Sequence, residues 1–160
     1  MHTNLAETLR DSAAAREAEA IVRRCVHCGF CLATCPTYQV LGDERDSPRG
    51  RIVLIQQLLE GEPANATTQT HLDRCLGCRS CETTCPSGVR YGTLLDYGRG
   101  VVEAQLPRPP AERALRSALL RVVPSRVLFG ALLHIGRVFK NVLPPRLDQS
   151  SRGFPCRAMY

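Results

Sequence analysis

Apolar residues recur at helical spacing along most of the chain, and no stretch shows the alternation expected of a strand. Residues 4–24 are rich in Ala, Glu and Arg and predict a helix leading into a cysteine-rich segment. A second amphipathic stretch starts after Pro48 and Gly50 and is closed by Gly61 and Pro63. The pattern therefore predicts a mainly α fold.

The remaining periodic stretches extend this helical interpretation. Asn65 is a candidate cap for the first of them, and Pro124 separates the last two. The tail at residues 148–160 has no periodicity and is expected to be disordered or aberrant. Further helices are predicted over residues 65–74, 92–106, 111–122 and 125–142.

The composition indicates that a feature other than a large aromatic core stabilises the fold. Aromatic residues make up only 5% of the 160 residues, Trp is absent, and there are 9 cysteines. The N-terminus is charged and lacks the apolar region of a signal peptide, which indicates a reducing compartment. In such a compartment, clustered cysteines are more often metal ligands than disulfides.

The net charge of +6 is unevenly distributed. Residues 1–98 carry a net charge of −2 and residues 99–146 carry +7, so the basic character belongs to the C-terminal half. Ligand thiolates would make the first part still more negative, and nucleic acid is not expected as a partner. The uncharged stretch from Val127 to Gly136 is too short to cross a bilayer.

Eight of the cysteines form an internal repeat with an offset of 50 residues. Both copies have the form C-x2-C-x2-C-x3-C-P, the spacing of bacterial two-cluster ferredoxins, which predicts two 4Fe-4S clusters. The two copies are Cys25, Cys28, Cys31, Cys35 with Pro36, and Cys75, Cys78, Cys81, Cys85 with Pro86.

The fourth cysteine of each copy cannot easily turn back to the first three, and in two-cluster proteins it ligates the other cluster. We therefore assign Cys25, Cys28, Cys31 and Cys85 to cluster 1. Cluster 2 is assigned to Cys75, Cys78, Cys81 and Cys35. All eight are metal ligands in this assignment, and no residue is assigned a catalytic role.

The residues around the ligands suggest how the clusters would be held. Proline is favoured at the first position of a helix, so Cys35 and Cys85 are expected at helix starts. Gly29 and Gly77 would let backbone N–H groups approach the sulfurs. His27 could ligate metal, although a packing role is favoured because the cysteine sets are complete.

Two other kinds of site compete with this interpretation. Four-cysteine zinc sites use C-x2-C pairs, but a third cysteine at the same spacing followed by Cys-Pro has no role in them. A zinc-stabilised interaction module nevertheless remains the alternative function. Two complete quartets leave no open iron, which argues against substrate chemistry at either cluster. Cys156 has no partner in the pattern and receives no role.

The basic, apolar segment 111–142 allows two interpretations. It could lie on a membrane surface as amphipathic helices. It could instead dock on another domain or subunit, which we favour because its leucines fit a protein-buried stripe. The leucines concerned are Leu115, Leu119, Leu120, Leu128, Leu132 and Leu133.

Three stretches closely resemble the iron-sulfur subunit of bacterial glycolate oxidase, also called glycolate dehydrogenase. They are CVHCGFCLATCPTYQVLGDERDSPRGRI, HLDRCLGCRSCETTCPSGVRYGTLLDYGR and VVEAQLPRPPAERALR, and the resemblance covers about residues 4–147. In that family the cluster domain looks like the α-helical ferredoxin fold of succinate dehydrogenase. The eight cysteines occupy the family's ligand positions.

The resemblance implies an electron-transfer subunit of an oxidoreductase. Flavoprotein partners would oxidise glycolate to glyoxylate, and this subunit would pass the electrons toward a quinone-type acceptor. It implies a cytoplasmic protein, peripheral at the inner membrane. Family members continue into modules with paired CCG motifs that are missing here, so we expect a C-terminally truncated chain, which could be a nonfunctional copy.

The expected organisation has four parts. These are an N-terminal helix at 1–24, a two-cluster α-helical ferredoxin domain at 25–106, a basic helical extension at 107–147 and the tail at 148–160.

Overall fold

The computed structural model describes residues 2–139, and over this range the chain is helical with no strand. The mainly α prediction is confirmed. The helices are α1 (Ala13–Arg24), α2 (Phe30–Ala33), α3 (Pro36–Leu41), α4 (Pro48–Leu59), α5 (Ala66–Asp73), α6 (Ser80–Thr84), α7 (Tyr91–Gln105), α8 (Pro110–Val122) and α9 (Arg126–Phe139). Short 3-10 turns lie at Glu7–Leu9 and Glu44–Asp46.

The chain forms two compact units, one ending at Pro107 and the other beginning at Arg108. In the first unit, α1, α4 and α7 pack on one another and α5 packs on α7. Their apolar faces form one core, in which α1, α4, α5 and α7 contribute fully buried residues. These include Ala15, Ile21, Val22, Ile55, Leu59, Leu72, Leu94 and Leu95.

Side chains fix where three of these helices begin. Ser12 accepts the backbone N–H of Ala15 at 3.3 Å, Ser47 that of Gly50 at 2.9 Å, and Asn65 that of Thr68 at 2.9 Å. Each such cap contributes about 1 kcal/mol. The predicted cap at Asn65 is confirmed.

The predicted N-terminal helix is shorter in the structure than in the sequence pattern. Regular α-helix begins only at Ala13, because Ser12 is extended and caps the helix there, and the 3-10 turn Glu7–Leu9 precedes it. Leu5 and Leu9 still pack against the core. The apolar periodicity therefore predicted the burial of these two residues correctly, but it did not predict their backbone conformation.

Helix α4 approaches the preceding 3-10 turn unusually closely at Gly50. A methyl group at this position would lie 2.0 Å from the carbonyl oxygen of Glu44 and 2.9 Å from the Cα of Arg45. Only glycine leaves room for this contact. The approach fixes α4 against the segment that carries Asp46, which matters for the site described below.

The second unit contains α8 and α9, whose large apolar side chains are exposed; Leu120, for example, is 76% exposed. No single described helix is long and apolar enough to cross a membrane. Pro110–Val122 and Arg126–Arg137 pass together on length and composition, but they are bent by 106°. The predicted end of the last helix at residue 142, the tail at 148–160 and Cys156 lie outside the described residues.

Candidate metal centre

The segments that carry the first three cysteines of each motif, residues 25–31 and 75–81, are called here the first and the second loop. The two loops have the same backbone conformation at two corresponding positions. In the first loop His27 and Gly29 have positive φ values of 57° and 84°. In the second loop Gly77 and Arg79, at the corresponding positions, have φ values of 65° and 57°. A residue other than glycine in this conformation costs about 1–2 kcal/mol. Each loop therefore carries one strained residue, as is common where a site is held in a fixed shape.

The first loop lines a pocket. Three of its cysteines, Cys25, Cys28 and Cys31, face this pocket together with Cys85 from the second copy of the motif. The structure therefore brings together the four cysteines predicted for cluster 1.

The second loop lines a neighbouring pocket. Here Cys75, Cys78 and Cys81 meet Cys35 from the first copy. The structure thus also brings together the four cysteines predicted for cluster 2, again with the fourth cysteine supplied by the other copy.

The two pockets share a wall. Cys81, Pro48 and Tyr91 line both of them, whereas each of the other seven cysteines lines one pocket only. Cys81 and Tyr91 are buried. The pockets are therefore neighbours within one unit, separated by packed side chains.

Burial makes three of the ligand thiols harder to ionise. Burial raises the pKa of Cys25 and of Cys31, and neighbouring cysteines add to the effect. Burial, followed by the charges of Cys75 and Cys31, raises the pKa of Cys81 to about 12. For the exposed Cys78 the shift has the opposite direction, because the backbone N–H and the hydroxyl of Ser80 lower its pKa.

These features test whether the residues fit iron-sulfur clusters. Eight soft thiol donors converge in two sets of four, which is the ligand set of 4Fe-4S clusters. Thiolates crowded in partly buried pockets need positive charge to be stable, and bound metal supplies it. The donor set and its electrostatics therefore fit two such clusters.

The two Cys-Pro pairs differ, contrary to the sequence prediction. Cys35 stands at the N-cap of α3 with Pro36 as its first residue, as expected. Cys85 instead follows the last residue of α6, and no helix starts at Pro86. The reason is local: Gly88 adopts a φ of 60° and turns the chain before α7 begins at Tyr91.

A buried polar network borders the second pocket, and the sequence reasoning did not identify it. Arg51 and Asp46 are both fully buried, and Arg51 lines the pocket. Nη2 of Arg51 donates to Oδ1 of Asp46 at 3.3 Å, and Nδ1 of His71 lies 2.9 Å from the same oxygen. A comparison of the two repeats beyond their cysteines would have drawn attention to Arg51. The corresponding position in the second repeat is Val101, which carries no charge.

The first pocket has a more exposed arginine. Arg49 lines it, pairs with Glu44 at 2.7 Å, and reaches the carbonyl oxygen of His27 at 3.5 Å. Burial and the nearby Arg49 lower the pKa of His27. Two further arginines that follow ligand cysteines in the sequence, Arg79 and Arg90, differ in position. Arg79 lines the second pocket, whereas Arg90 pairs with Glu17 outside both pockets.

Comparison with known proteins matches residues 21–89 to the family described as 4Fe-4S dicluster domain. The chain is 58% identical over 147 residues to the glycolate oxidase iron-sulfur subunit of Escherichia coli strain K12, covering 92% of this chain and 36% of that protein. It is 43% identical over 101 residues to the probable glycolate oxidase iron-sulfur subunit of Bacillus subtilis strain 168, covering 61% of this chain and 22% of that protein.

The chain therefore spans about a third or less of the length of these curated relatives. No solved structure matches it.

Proposed function

We propose that this chain carries electrons within a glycolate oxidase complex, from the premise that residues 21–89 match the 4Fe-4S dicluster domain family and that the chain is similar to glycolate oxidase iron-sulfur subunits. In this proposal a flavoprotein subunit oxidises glycolate to glyoxylate. The electrons then pass through two 4Fe-4S clusters in this chain toward a quinone-type acceptor.

One observation carries the proposal: each pocket is lined by the first three cysteines of one motif and by the fourth cysteine of the other, with Cys81 in the wall that the pockets share. Cys85 faces the pocket of the first loop, and Cys35 faces the pocket of the second. A zinc module built from C-x2-C pairs has no use for this exchange. The exchange is the ligand pattern of two-cluster ferredoxins.

The residues of this chain have three tasks in that function. The two loops hold the thiolates, with Cys25, Cys28, Cys31 and Cys85 proposed for one cluster and Cys75, Cys78, Cys81 and Cys35 for the other. The shared wall keeps the two pockets adjacent. The clusters themselves, when bound, supply one-electron redox chemistry.

We also propose partners and a location for the chain. Their description as subunits supports assembly with other glycolate oxidase chains, and we propose the flavoprotein among them. We also propose a cytoplasmic location, peripheral at the inner membrane. Exposed leucines and arginines on α8 and α9 support attachment of that segment to a protein or lipid surface.

Anaerobic reconstitution of the full chain tests the function. We expect about eight irons and about eight sulfides per chain, because two 4Fe-4S clusters contain that number. Cys156→Ser is the matched control, since this cysteine belongs to neither quartet and should leave the iron content unchanged. A colourless protein that holds zinc and no sulfide would instead identify the zinc-stabilised module.

A further inference from the structure

We propose that Arg51 is a positioning residue that selectively raises the reduction potential of the cluster in the second pocket. This inference rests on the proposed function, because it concerns a cluster held by Cys75, Cys78, Cys81 and Cys35. It is carried by the placement of a fully buried guanidinium beside one of these ligands.

The guanidinium is held in place on several sides. Its Nη1 lies 3.1 Å from the hydroxyl of Thr37 and 4.0 Å from the sulfur of Cys35. Its Nε donates to the carbonyl oxygen of His71 at 2.7 Å, and its Nη2 donates to Asp46 at 3.3 Å. Arg51 therefore directs a charged N–H group toward a predicted cluster ligand in a fixed geometry.

The network carries excess positive charge. Asp46 accepts from Arg51 on Oδ1 and from Nη1 of Arg74 on Oδ2, the latter at 3.1 Å. Two guanidinium groups thus share one carboxylate, while the nearby carboxylate of Asp43 is paired with Arg45 at 2.8 Å. These groups together carry one positive charge in excess. Because Asp46 and Arg51 are fully buried, water screens their charges only weakly, whereas the Arg74 side chain is 48% exposed and its charge is screened more strongly.

The arrangement exists in one repeat only. At an offset of 50 residues the position of Arg51 is occupied by Val101, which packs against the hydrophobic core. The position of Asp46 is occupied by Asp96, which is exposed. The repeats therefore share their cysteine positions but not the buried ion pair.

The arginine of the first pocket is not equivalent. The Arg49 side chain is 33% exposed, and its charge is balanced one to one by Glu44 at 2.7 Å. Solvent screening weakens its effect on that pocket. Among the described arginines that line the two pockets, Arg51 of the second pocket is therefore the one that is fully buried.

The expected consequence follows from elementary electrostatics. Reduction adds one negative charge to a cluster, and hydrogen bonds to the sulfurs and nearby positive charge stabilise the reduced state. Two of the four second-pocket cysteines are buried, which by itself lowers the potential. Arg51 offsets that effect of burial.

The test is a redox titration of the anaerobically reconstituted full chain, followed by EPR. The signal that survives in Cys35→Ala identifies the first-pocket cluster. We expect Arg51→Met to shift the midpoint of the second-pocket cluster downward and to leave the other midpoint in place. Arg49→Met is the matched control and should leave the second-pocket midpoint unchanged.

Removing one partner of a buried ion pair destabilises a fold strongly, so two further variants keep the guanidinium or its charge. Asp46→Asn removes a negative charge and should shift the same midpoint upward. Arg51→Lys keeps the charge and should shift it less than Arg51→Met. A purely structural role for Arg51 gives no reason for shifts of opposite sign.

The outcomes separate the two proposals. If iron and sulfide are present but Arg51→Met and Asp46→Asn leave the second-pocket midpoint unmoved, or move it in the same direction, the role of Arg51 is wrong. If the unaltered chain binds no iron and sulfide, the proposed function fails, and this inference fails with it.

Discussion

The first and second cysteine loops are alike in sequence spacing and backbone but unlike in surroundings. Both have positive φ at the same two positions, and both receive their fourth cysteine from the other copy. Yet none of the first quartet is buried, whereas Cys35 and Cys81 of the second are. The two copies of the motif therefore arrange their cysteines alike, whereas the neighbouring helices give each pocket a different environment.

The difference arises largely from α4 and the turn before it. Arg49 faces the first pocket and Arg51 the second, two residues apart on the same helix. Pro48 lines both. A single helix thus presents a partly exposed charge to one site and a buried charge to the other.

The largest expected effect comes from breaking the exchange of ligands. Cys85→Ala should impair the cluster of the first loop, and Cys35→Ala that of the second, each with loss of about four of eight irons. EPR spectra with iron analysis of both variants check this. If Cys85→Ala altered only the second-loop signal, each motif would hold its own cluster and the crossed assignment would be wrong.

Gly50 and Gly100 occupy corresponding positions in the two repeats and provide the next test. Gly50→Ala places a methyl group against the backbone of Glu44 and should destabilise the fold by about 3 kcal/mol. Gly100→Ala meets nothing within 4 Å and should stabilise α7 by about 0.5–1 kcal/mol. Urea unfolding of the reconstituted proteins measures both; equal effects would show that α4 and α7 are packed alike.

Arg99 and Arg49 form a second corresponding pair, with a smaller expected difference. Arg99 donates to the carbonyl oxygens of Leu72 at 2.9 Å and Cys75 at 2.7 Å, which fixes the start of the second loop. Arg99→Met should cost about 2 kcal/mol, because it leaves these partly buried acceptors unpaired. Arg49→Met should cost under about 1 kcal/mol, since its ion pair is exposed. Thermal unfolding of the two variants compares them, and a larger loss for Arg49→Met would contradict this ranking.

The sequence predicted the helical fold and the grouping of the cysteines because both depend on spacing along the chain. The cap at Asn65 and the helix start at Cys35 were equally local and were predicted. Cys85 was not, because a proline after cysteine favours a helix start only where the following residues continue it, and Gly88 does not. Leu5 and Leu9 likewise kept their burial without the helix that their spacing suggested.

The buried network could not be predicted from local pattern. An arginine in an amphipathic helix is normally solvated, so Arg51 gave no sign of burial by itself. Its burial depends on acceptors outside its own helix, on Thr37, Asp46 and His71. Such an arrangement becomes visible only when α4 and α5 are packed together.

The exchange of the fourth cysteine also has a consequence for the newly made chain. In the proposed assignment, the second quartet is complete only when Cys81 has been synthesised, and the first only when Cys85 has been. The earlier motif therefore cannot form its full site as it leaves the ribosome, although its own four cysteines are already present. Both sites come into existence within four residues of each other, and only after the second motif has been made.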